Sequence, residues 1–329
     1  MAETLRVGVV GCGMISRDHL VAWRNEPRAE VVALCDPDPA RTADRGAEFG
    51  IARHYTDAAR MLDAEDLDAL DVITPRQTHR DLVLLAAEHG VPVLCEKPLC
   101  PTLAEAEALV AEVGGRTRVM VNENWRFRPY FRQLREWIDA GHVGTITSAR
   151  MSLTRSNLLA DADGSIPALR RQPFFAAEER LLVAESLIHE LDTLRYLLGE
   201  TRVVGAVTRR TSPDVVGEDS AAILLTTGDG LPVVVTGCMV AAGHHYREGD
   251  HLVLTGTRSS VTLDRSVLTI TGAHGKTVEY DEATARQDSF DHSVRHFVDR
   301  VRDGGEFDTS MADQLATLAL VEDVYRRAG

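Results

Sequence analysis

Three groups of residues carry chemically useful types at informative spacing. In the first, Arg6-Val-Gly-Val-Val-Gly11-Cys-Gly13-Met14-Ile15-Ser16, a glycine-rich turn joins an apolar run to a helical one. Backbone amides and the positive end of a helix can hold a pyrophosphate in such a turn, and Gly11, Gly13, Met14 and Ile15 are the residues expected to meet it. Ser16 occupies the third glycine position, small enough for close helix-to-strand packing but a departure from the intact triplet. Asp36 ends the run Val-Val-Ala-Leu-Cys-Asp36, where a carboxylate can accept hydrogen bonds from an adenine-ribose diol. That pairing favours NAD over NADP. Arg41 argues the other way if it approaches a 2′-phosphate, and is neutral if it stands solvated on a helix. The bland alternative is that these glycines only make a tight turn and Asp36 only caps a helix.

The second and third groups are Ile73-Thr74-Pro75-Arg76-Gln77-Thr78-His79 and Cys95-Glu96-Lys97-Pro98. Each follows an apolar run that reads as a parallel strand. In an open α/β sheet ligands lie at the carboxyl edge, so Thr74, Pro75, His79, Glu96 and Lys97 are expected to face a cofactor. A lysine beside a cationic nicotinamide ring and partly desolvated loses proton affinity, and it can hydrogen-bond a reacting oxygen or pass a proton along. An ordinary surface lysine is the competing explanation.

The elements that must position these groups follow from periodicity. Leu5–Val10, Val31–Cys35, Ala69–Ile73, Pro92–Cys95 and Arg118–Val121 read as strands, alternating with helical stretches Ile15–Asn25, Pro39–Phe49, Thr78–His89 and Thr102–Val113. Gly50, Gly90 and Gly114 stop three of those helices. The alternation predicts parallel β-α-β units and hence a Rossmann, doubly wound sheet. Beyond Val121 the rhythm changes. Pro129–Ala140 reads as a helix, and strand-like runs follow at Ile146–Leu153, Val203–Thr211, Ser220–Thr227 and Leu231–Val240. A hairpin is signalled at Gly228-Asp-Gly230, and amphipathic helices at Asp288–Arg302 and Met311–Arg327 close the chain. Ser156–Arg180, polar and proline-interrupted, reads as a loop with one short helical turn. The expectation is an α/β protein: residues 1–122 form a nucleotide-binding domain, and residues 123–329 an α+β domain with a mostly antiparallel sheet.

Together the glycine turn, the Thr74–His79 stretch, Glu96-Lys97-Pro98 and Val121-Asn-Glu-Asn124-Trp-Arg126-Phe-Arg-Pro129 resemble the Gfo/Idh/MocA family, which includes glucose–fructose oxidoreductase and inositol dehydrogenase. The resemblance runs along nearly the whole chain. It implies an open-faced sheet in the second domain that supports homodimers or homotetramers, and a sugar or polyol substrate bound between the domains. It also brings a second signature, an Asp followed by His four residues on and Asp three further, which here reads Glu185-Ser-Leu-Ile-His189-Glu-Leu-Asp192. Helical spacing would set Glu185, His189 and Asp192 on one face, with Glu185 orienting the imidazole and His189 transferring the proton. Glu185 replaces the usual Asp and Leu187 a frequent Gly, so the pocket differs from that of the inositol enzymes. Asn124 and Arg126 are the further substrate contacts implied. The stretches Asn124-Trp-Arg-Phe-Arg-Pro-Tyr and Gln172-Pro-Phe-Phe are similar to the D-apiose dehydrogenase branch and neighbouring sugar dehydrogenases.

The resemblance therefore implies hydride transfer between a sugar carbinol carbon and nicotinamide C4, with Lys97, His189 and Glu185 as the catalytic set. It requires the ammonium of Lys97 and the imidazole of His189 to meet on one face of the dinucleotide. Two other readings are compatible with the motifs: redox-neutral glycoside cleavage with tightly held NAD, and a sugar-sensing regulator that keeps the fold without the chemistry.

Composition narrows the partners. A formal charge of −14 and a pI near 5.3 disfavour nucleic acid, whose phosphates need clustered cations. No apolar run approaches a membrane span, and a cytoplasmic protein is expected. The five cysteines, Cys12, Cys35, Cys95, Cys100 and Cys238, lack paired spacing or nearby His ligands, so neither disulfides nor a metal site is expected.

Overall fold

The computed structural model describes residues 3–246 and 250–329. Its chain divides into two compact units, Met1–Phe127 with Arg286–Leu318 and Arg128–Ala285 with Ala319–Gly329. Sequence patterning set the boundary after residue 122 and left everything beyond in one domain. The return of Arg286–Leu318 to the first unit has a packing cause: Phe290, Val294 and Phe297 pack in one core with Val7, Trp23, Leu94 and Met120.

In the first unit β1 (Leu5–Val10), α1 (Ser16–Asn25), β2 (Ala29–Cys35), α2 (Pro39–Phe49), β3 (Arg53–Tyr55), α3 (Ala58–Ala64), β4 (Ala69–Val72), α4 (His79–Glu88), β5 (Val93–Glu96), α5 (Leu103–Val113) and β6 (Val119–Asn122) succeed one another. The sheet order is β3-β2-β1-β4-β5-β6, parallel throughout. Its strand order reverses between β1 and β4, the crevice where open α/β sheets bind ligands. β4 and β6 are buried on both faces along their whole length, which is why the inner strands read as near-continuous apolar runs rather than alternating ones.

Local chemistry fixes the helix ends. Asp38 and Asp57 accept backbone hydrogen bonds at the starts of α2 and α3, and Thr102 with Glu105 forms a capping box on α5. Gly50 and Gly114 end α2 and α5 at φ 77° and 53°, in the left-handed region. The sheet face is closed by aromatic packing, with Trp23 edge-on to Phe297 at 6.0 Å and Phe297 stacked on Phe307 at 5.4 Å. Full burial of side chains this size contributes ~1.5–3 kcal/mol each.

The second unit begins with α6 (Pro129–Asp139), β7 (Ile146–Thr154), α7 (Pro167–Arg171) and α8 (Ile188–Leu198). Then come β8 (Thr201–Arg209), β9 (Ser220–Thr227), β10 (Pro232–Cys238), β11 (His251–Gly256), β12 (Ser260–Asp264), β13 (Val267–Ile270) and β14 (Lys276–Glu279). The sheet order is β14-β13-β12-β11-β7-β10-β9-β8, with only the β7–β10 pair parallel among the described residues. Along β9 and β10 side chains alternate. Ile223, Leu225, Val233 and Val235 are buried, while Leu224 and Val234 stand exposed directly opposite one another. The Gly228-Asp-Gly230 hairpin joins this pair as its sequence predicts. Ser156–Arg180 holds α7 and a second short turn, Pro173–Ala176. Two helices end the chain, α9 (Glu282–Asp303) and α10 (Met311–Ala328), and the unit boundaries fall within both.

Candidate active site

The glycine turn follows β1 directly. Gly11 adopts φ 100° and donates its N–H to Cys35 O at 2.8 Å; a Cβ here would lie 2.3 Å from Ile73 O. Gly11 therefore has to be glycine for the turn itself. Gly13 differs, because a Cβ there would meet nothing within 4 Å. Its bare backbone borders a cavity of about 350 Å³ lined by Cys12, Gly13, Met14, Arg41, Asp44 and Arg45. Ser16 Oγ donates to Gly13 O at 2.6 Å, so the serine replacing the third glycine ties the turn to the first residue of α1.

At the end of β2 Asp36 is 5% exposed and accepts from Cys12 N and Asp38 N, both at 2.9 Å. Those bonds aim its carboxylate at the turn while leaving lone pairs for a ribose diol. Arg41 is exposed, pairs with Asp38 at 3.6 Å and lines the same cavity. Arg45 had no role in the sequence reasoning. It donates to Ser16 Oγ at 3.1 Å and to Gly13 O at 3.2 Å, bracing the turn from α2. An open glycine backbone, a helix start and an anchored carboxylate fit an NAD molecule. Gly11, Gly13, Met14, Ile15 and Asp36 are the residues that would hold it.

The carboxyl ends of β4 and β5 are strapped together by His79. Its ring is fully buried, with Nδ1 2.9 Å from Pro98 O and Nε2 2.9 Å from Thr74 O, and burial lowers its proton affinity. His79 thus sets the relation of the Thr74-Pro75 turn to the half-buried Lys97 and its cis peptide to Pro98.

Behind Lys97 lies a polar chain that sequence reasoning missed. His19 on α1 is fully buried, its Nδ1 2.9 Å from Asp71 Oδ2 and its Nε2 2.9 Å from Glu96 Oε1. Trp23 Nε1 donates to Asp71 at 2.6 Å, Asn122 Nδ2 to Glu96 at 2.7 Å, and Ser293 Oγ to Asn122 Oδ1 at 2.6 Å. Burial alone would strip His19 of its proton. The two carboxylates outweigh it and raise the imidazole to about 10. Glu96, despite its own burial, is held at about 2 by His19, Asn122 and Lys97. The available signal was an aspartate inside an otherwise apolar strand, Ala-Leu-Asp71-Val, which has to find a buried partner.

Glu123, just beyond β6, is the second missed residue. It is fully buried and receives a long hydrogen bond from Gln314 Nε2 at 3.5 Å. Desolvation raises it to about 7 against the pull of Lys97 and Arg126, with Glu96 adding to the rise. The expected substrate contacts lie alongside. Asn124 Nδ2 donates to Ser289 Oγ at 2.9 Å, and Arg126 donates to Asp308 O at 2.9 Å and Asp313 Oδ2 at 2.8 Å. Both are buried, and these bonds tie the β6 turn to the returning segment of the first unit.

In the second unit Glu185, His189 and Asp192 occupy one continuous helical stretch. It is not α-helical throughout, as the spacing argument assumed. Leu182–Leu187 forms a π-helical turn, and α8 starts at Ile188. Glu185 sits in the wider turn, half-buried, while His189 is 8% exposed and Asp192 fully buried. A π-turn of this kind often accompanies a functional site. Next to His189, Glu190 is buried among charges that include Asp250, Arg155 and Arg128, and desolvation raises it to about 8.

Comparison with known proteins agrees with this geometry. Residues 5–123 match a family described as an oxidoreductase family with an NAD-binding Rossmann fold, and residues 131–262 match the GFO/IDH/MocA C-terminal domain. A D-apiose dehydrogenase of Paraburkholderia graminis is 36% identical, covering 97% of this chain and 86% of its own. Inositol 2-dehydrogenase 4 of Saccharopolyspora erythraea is 34% identical, covering 97% and 91%. Among solved structures, an oxidoreductase from Agrobacterium radiobacter in complex with NAD+, L-tartaric acid and magnesium superposes with a TM-score of 0.90 at 31% identity, over 98% of this chain and 96% of that one.

Proposed function

The chain belongs to the GFO/IDH/MocA family of oxidoreductases, and from that premise we propose that it is an NAD-dependent sugar dehydrogenase acting on D-apiose or a closely related aldose. One observation carries the reading: Lys97 stands at the carboxyl edge of the parallel sheet, in the same unit as a turn whose open Gly13 and anchored Asp36 fit NAD. The 36% identity to a D-apiose dehydrogenase over 97% of the chain supports the choice of sugar.

Oxidation of a carbinol removes a hydride from carbon and a proton from oxygen. When bound, NAD+ supplies the hydride acceptor. In the proposed roles His189 accepts the hydroxyl proton, Glu185 orients the imidazole, and Lys97 holds the developing alkoxide by charge and hydrogen bonding. Asp192 completes the helical signature that faces substrate. Thr74, Pro75 and His79 shape the edge against which the cofactor lies, with Glu96 anchoring Lys97. Asn124 and Arg126 fix the turn after β6 and complete the substrate-binding set. Asp36 favours NAD, and Arg41 at the cavity rim is the residue through which NADP would gain.

The exposed ladder of Val207, Leu224 and Val234 on the open sheet face supports a homodimer or homotetramer through that face. A cytoplasmic location accords with five free cysteines, and among the described residues no helix is long and apolar enough to cross a membrane.

The experiment is a screen of purified protein against D-apiose, other aldoses, inositols and anhydrosugars with NAD and with NADP, following reduced cofactor. Reduction of NAD with D-apiose at the highest kcat/KM is the expected outcome. Cleavage of a glycoside without net cofactor change, or binding of sugar with no turnover on any substrate, would overturn the proposal.

A further inference from the structure

The wide turn Leu182–Leu187 that carries Glu185 begins, like any helical stretch, with backbone N–H groups that have no acceptor within the helix. Two residues from elsewhere in the second unit take them. Glu218, two residues before β9, accepts from Leu181 N at 3.3 Å through Oε2 and from Val183 N at 2.9 Å through Oε1, and its backbone carbonyl accepts from Leu182 N at 3.1 Å. Tyr325 on α10 accepts from Ala184 N at 3.3 Å and donates its hydroxyl proton to Glu218 Oε1 at 2.7 Å. At Glu185 bonding within the helix takes over, with its N–H donating to Leu181 O at 2.9 Å. Four consecutive donors are thus held by two residues, and one of these brings a carboxylate to the positive end of the helix.

Both residues are themselves fixed. Glu218 is buried, and Gly217 before it packs so closely that a Cβ there would lie 2.5 Å from Glu178 O and 2.9 Å from Leu181 Cβ. Arg180 lies over the Tyr325 ring at 4.7 Å while bonding Glu322 at 2.6 Å. From β10 the turn receives bare backbone: a Cβ at Gly237 would stand 2.9 Å from Leu187 Cδ1 and 3.0 Å from Leu182 Cδ2. A π-turn is rare beside the α-helix, so its surroundings have to select it.

Resting on the dehydrogenase reading above, we infer that Glu218 and Tyr325 are positioning residues of the reaction: by holding Leu182–Leu187 as a wide turn they set where Glu185 stands relative to His189. Neither has to touch substrate to do so. Without these acceptors the turn is free to rewind as α-helix, which carries Glu185 round the axis by up to one residue's rotation, ~100°. The imidazole of His189 is then still present but has lost its orienting carboxylate.

Two full-length variants test this. Tyr325→Phe deletes one hydroxyl and keeps the ring against Arg180; Glu218→Gln keeps the length but sets an amide NH₂ where an oxygen had faced a backbone N–H. Amide hydrogen exchange, read without substrate, should quicken ~10-fold or more at Ala184 in the first and at Leu181 and Val183 in the second, with Leu191–Leu198 unchanged. With D-apiose, each variant should lose kcat on the order of 10- to 100-fold at unchanged NAD affinity. Combined with Glu185→Gln, neither should cost more than Glu185→Gln alone, because the carboxylate they position is already gone; a merely structural role would instead multiply the losses. Unchanged exchange in both variants, or losses that multiply in the double variants, overturns the inference. Should Glu218→Gln fail to fold, Tyr325→Phe decides alone. Absence of D-apiose turnover would sink the dehydrogenase reading, and the exchange pattern then decides whether Glu218 and Tyr325 hold the turn, so the two proposals fail separately.

Discussion

His19 Nε2 lies 2.9 Å from Glu96 Oε1, and no part of the imidazole reaches solvent. With Asp71 on the other nitrogen, the ring is a buried cation shared by two carboxylates. His19→Gln strands both acids in the interior, and such a loss costs ~3–5 kcal/mol. The sign with pH follows from the two directions. The His19 contribution is complete below 6.5 and is lost as pH rises through about 10; that of Glu96 is complete above 4.5 and is lost as pH falls toward about 2. Urea titrations should therefore find the gap between parent and variant widest between these two ordinary values, 4.5 and 6.5, and shrinking on either side.

The two glycines of the turn should separate folding from cofactor binding. Gly11→Ala forces a Cβ to within 2.3 Å of Ile73 O at a positive φ, so loss of soluble protein or a sharply lower Tm is expected. Gly13→Ala meets no protein atom within 4 Å. Its methyl group stands where a pyrophosphate has to approach, so Tm should stay within about a degree or two while NAD affinity falls ~10-fold or more. Calorimetric titration with NAD beside thermal melts would show it, and equal behaviour of the two variants would contradict the assignment.

How much of this was readable in advance depends on what each residue has to satisfy. β1 at Leu5–Val10 and α2 at Pro39–Phe49 coincide with their sequence expectations, because a buried parallel strand and an amphipathic helix with Pro at its start leave unambiguous patterns. β3 is three residues at a sheet edge, Arg53-His-Tyr55, too short and polar to carry a period. β11 to β14 went unread for a related reason: they are short, and their alternation is only half apolar. Lys97 was legible from the strand-end rule. His19 was not, since its place in α1 beside Leu20 and Trp23 looks like an ordinary sheet-facing position until Asp71 is found opposite. The π-turn at Leu182–Leu187 left no sequence mark, and helical spacing alone passed straight over it.

Glu190 should make the second unit less stable as the solution becomes alkaline. Burial lifts it from the ordinary 4.5 to about 8, so the folded chain keeps a proton that the unfolded chain gives up. Its contribution is complete below 4.5 and declines as pH rises through about 8. Glu190→Gln keeps the shape of the protonated acid and cannot ionise. Melting curves of the two proteins should nearly coincide at pH near 4.5 and separate in favour of the variant toward pH 8. A constant offset across that range would rule out titration of Glu190 as the cause.

The open sheet face supplies a test of assembly. Leu224 and Val234 are directly paired across β9 and β10, and Val207 lies opposite Ala222 on the same side. Leu224→Asp puts a charge in the middle of that apolar ladder without touching the buried face. Sedimentation velocity should show the parent as a dimer or tetramer and the variant shifted to monomer, with NAD affinity unchanged. An unshifted oligomer would place the assembly contact on another surface.

Replacement of Lys97 distinguishes a chemical role from simple cofactor attraction. Lys97→Ala removes both the charge and the exchangeable proton, and general acid–base groups contribute ~10²–10⁴-fold, so kcat should fall by that order. The cavity beside Gly13 and Asp36 is lined by other residues, and NAD affinity should remain within about twofold. Lys97→Arg retains a positive charge but spreads it over a planar group that does not release its proton. If Lys97 only attracts negative charge, arginine should restore most of the rate; if it hydrogen-bonds the reacting oxygen as a compact ammonium, recovery should stay below ~10-fold. Steady-state kinetics with D-apiose, alongside NAD titration of each variant, separates the cases: an affinity loss that matches the rate loss in both would reassign Lys97 to holding the cofactor.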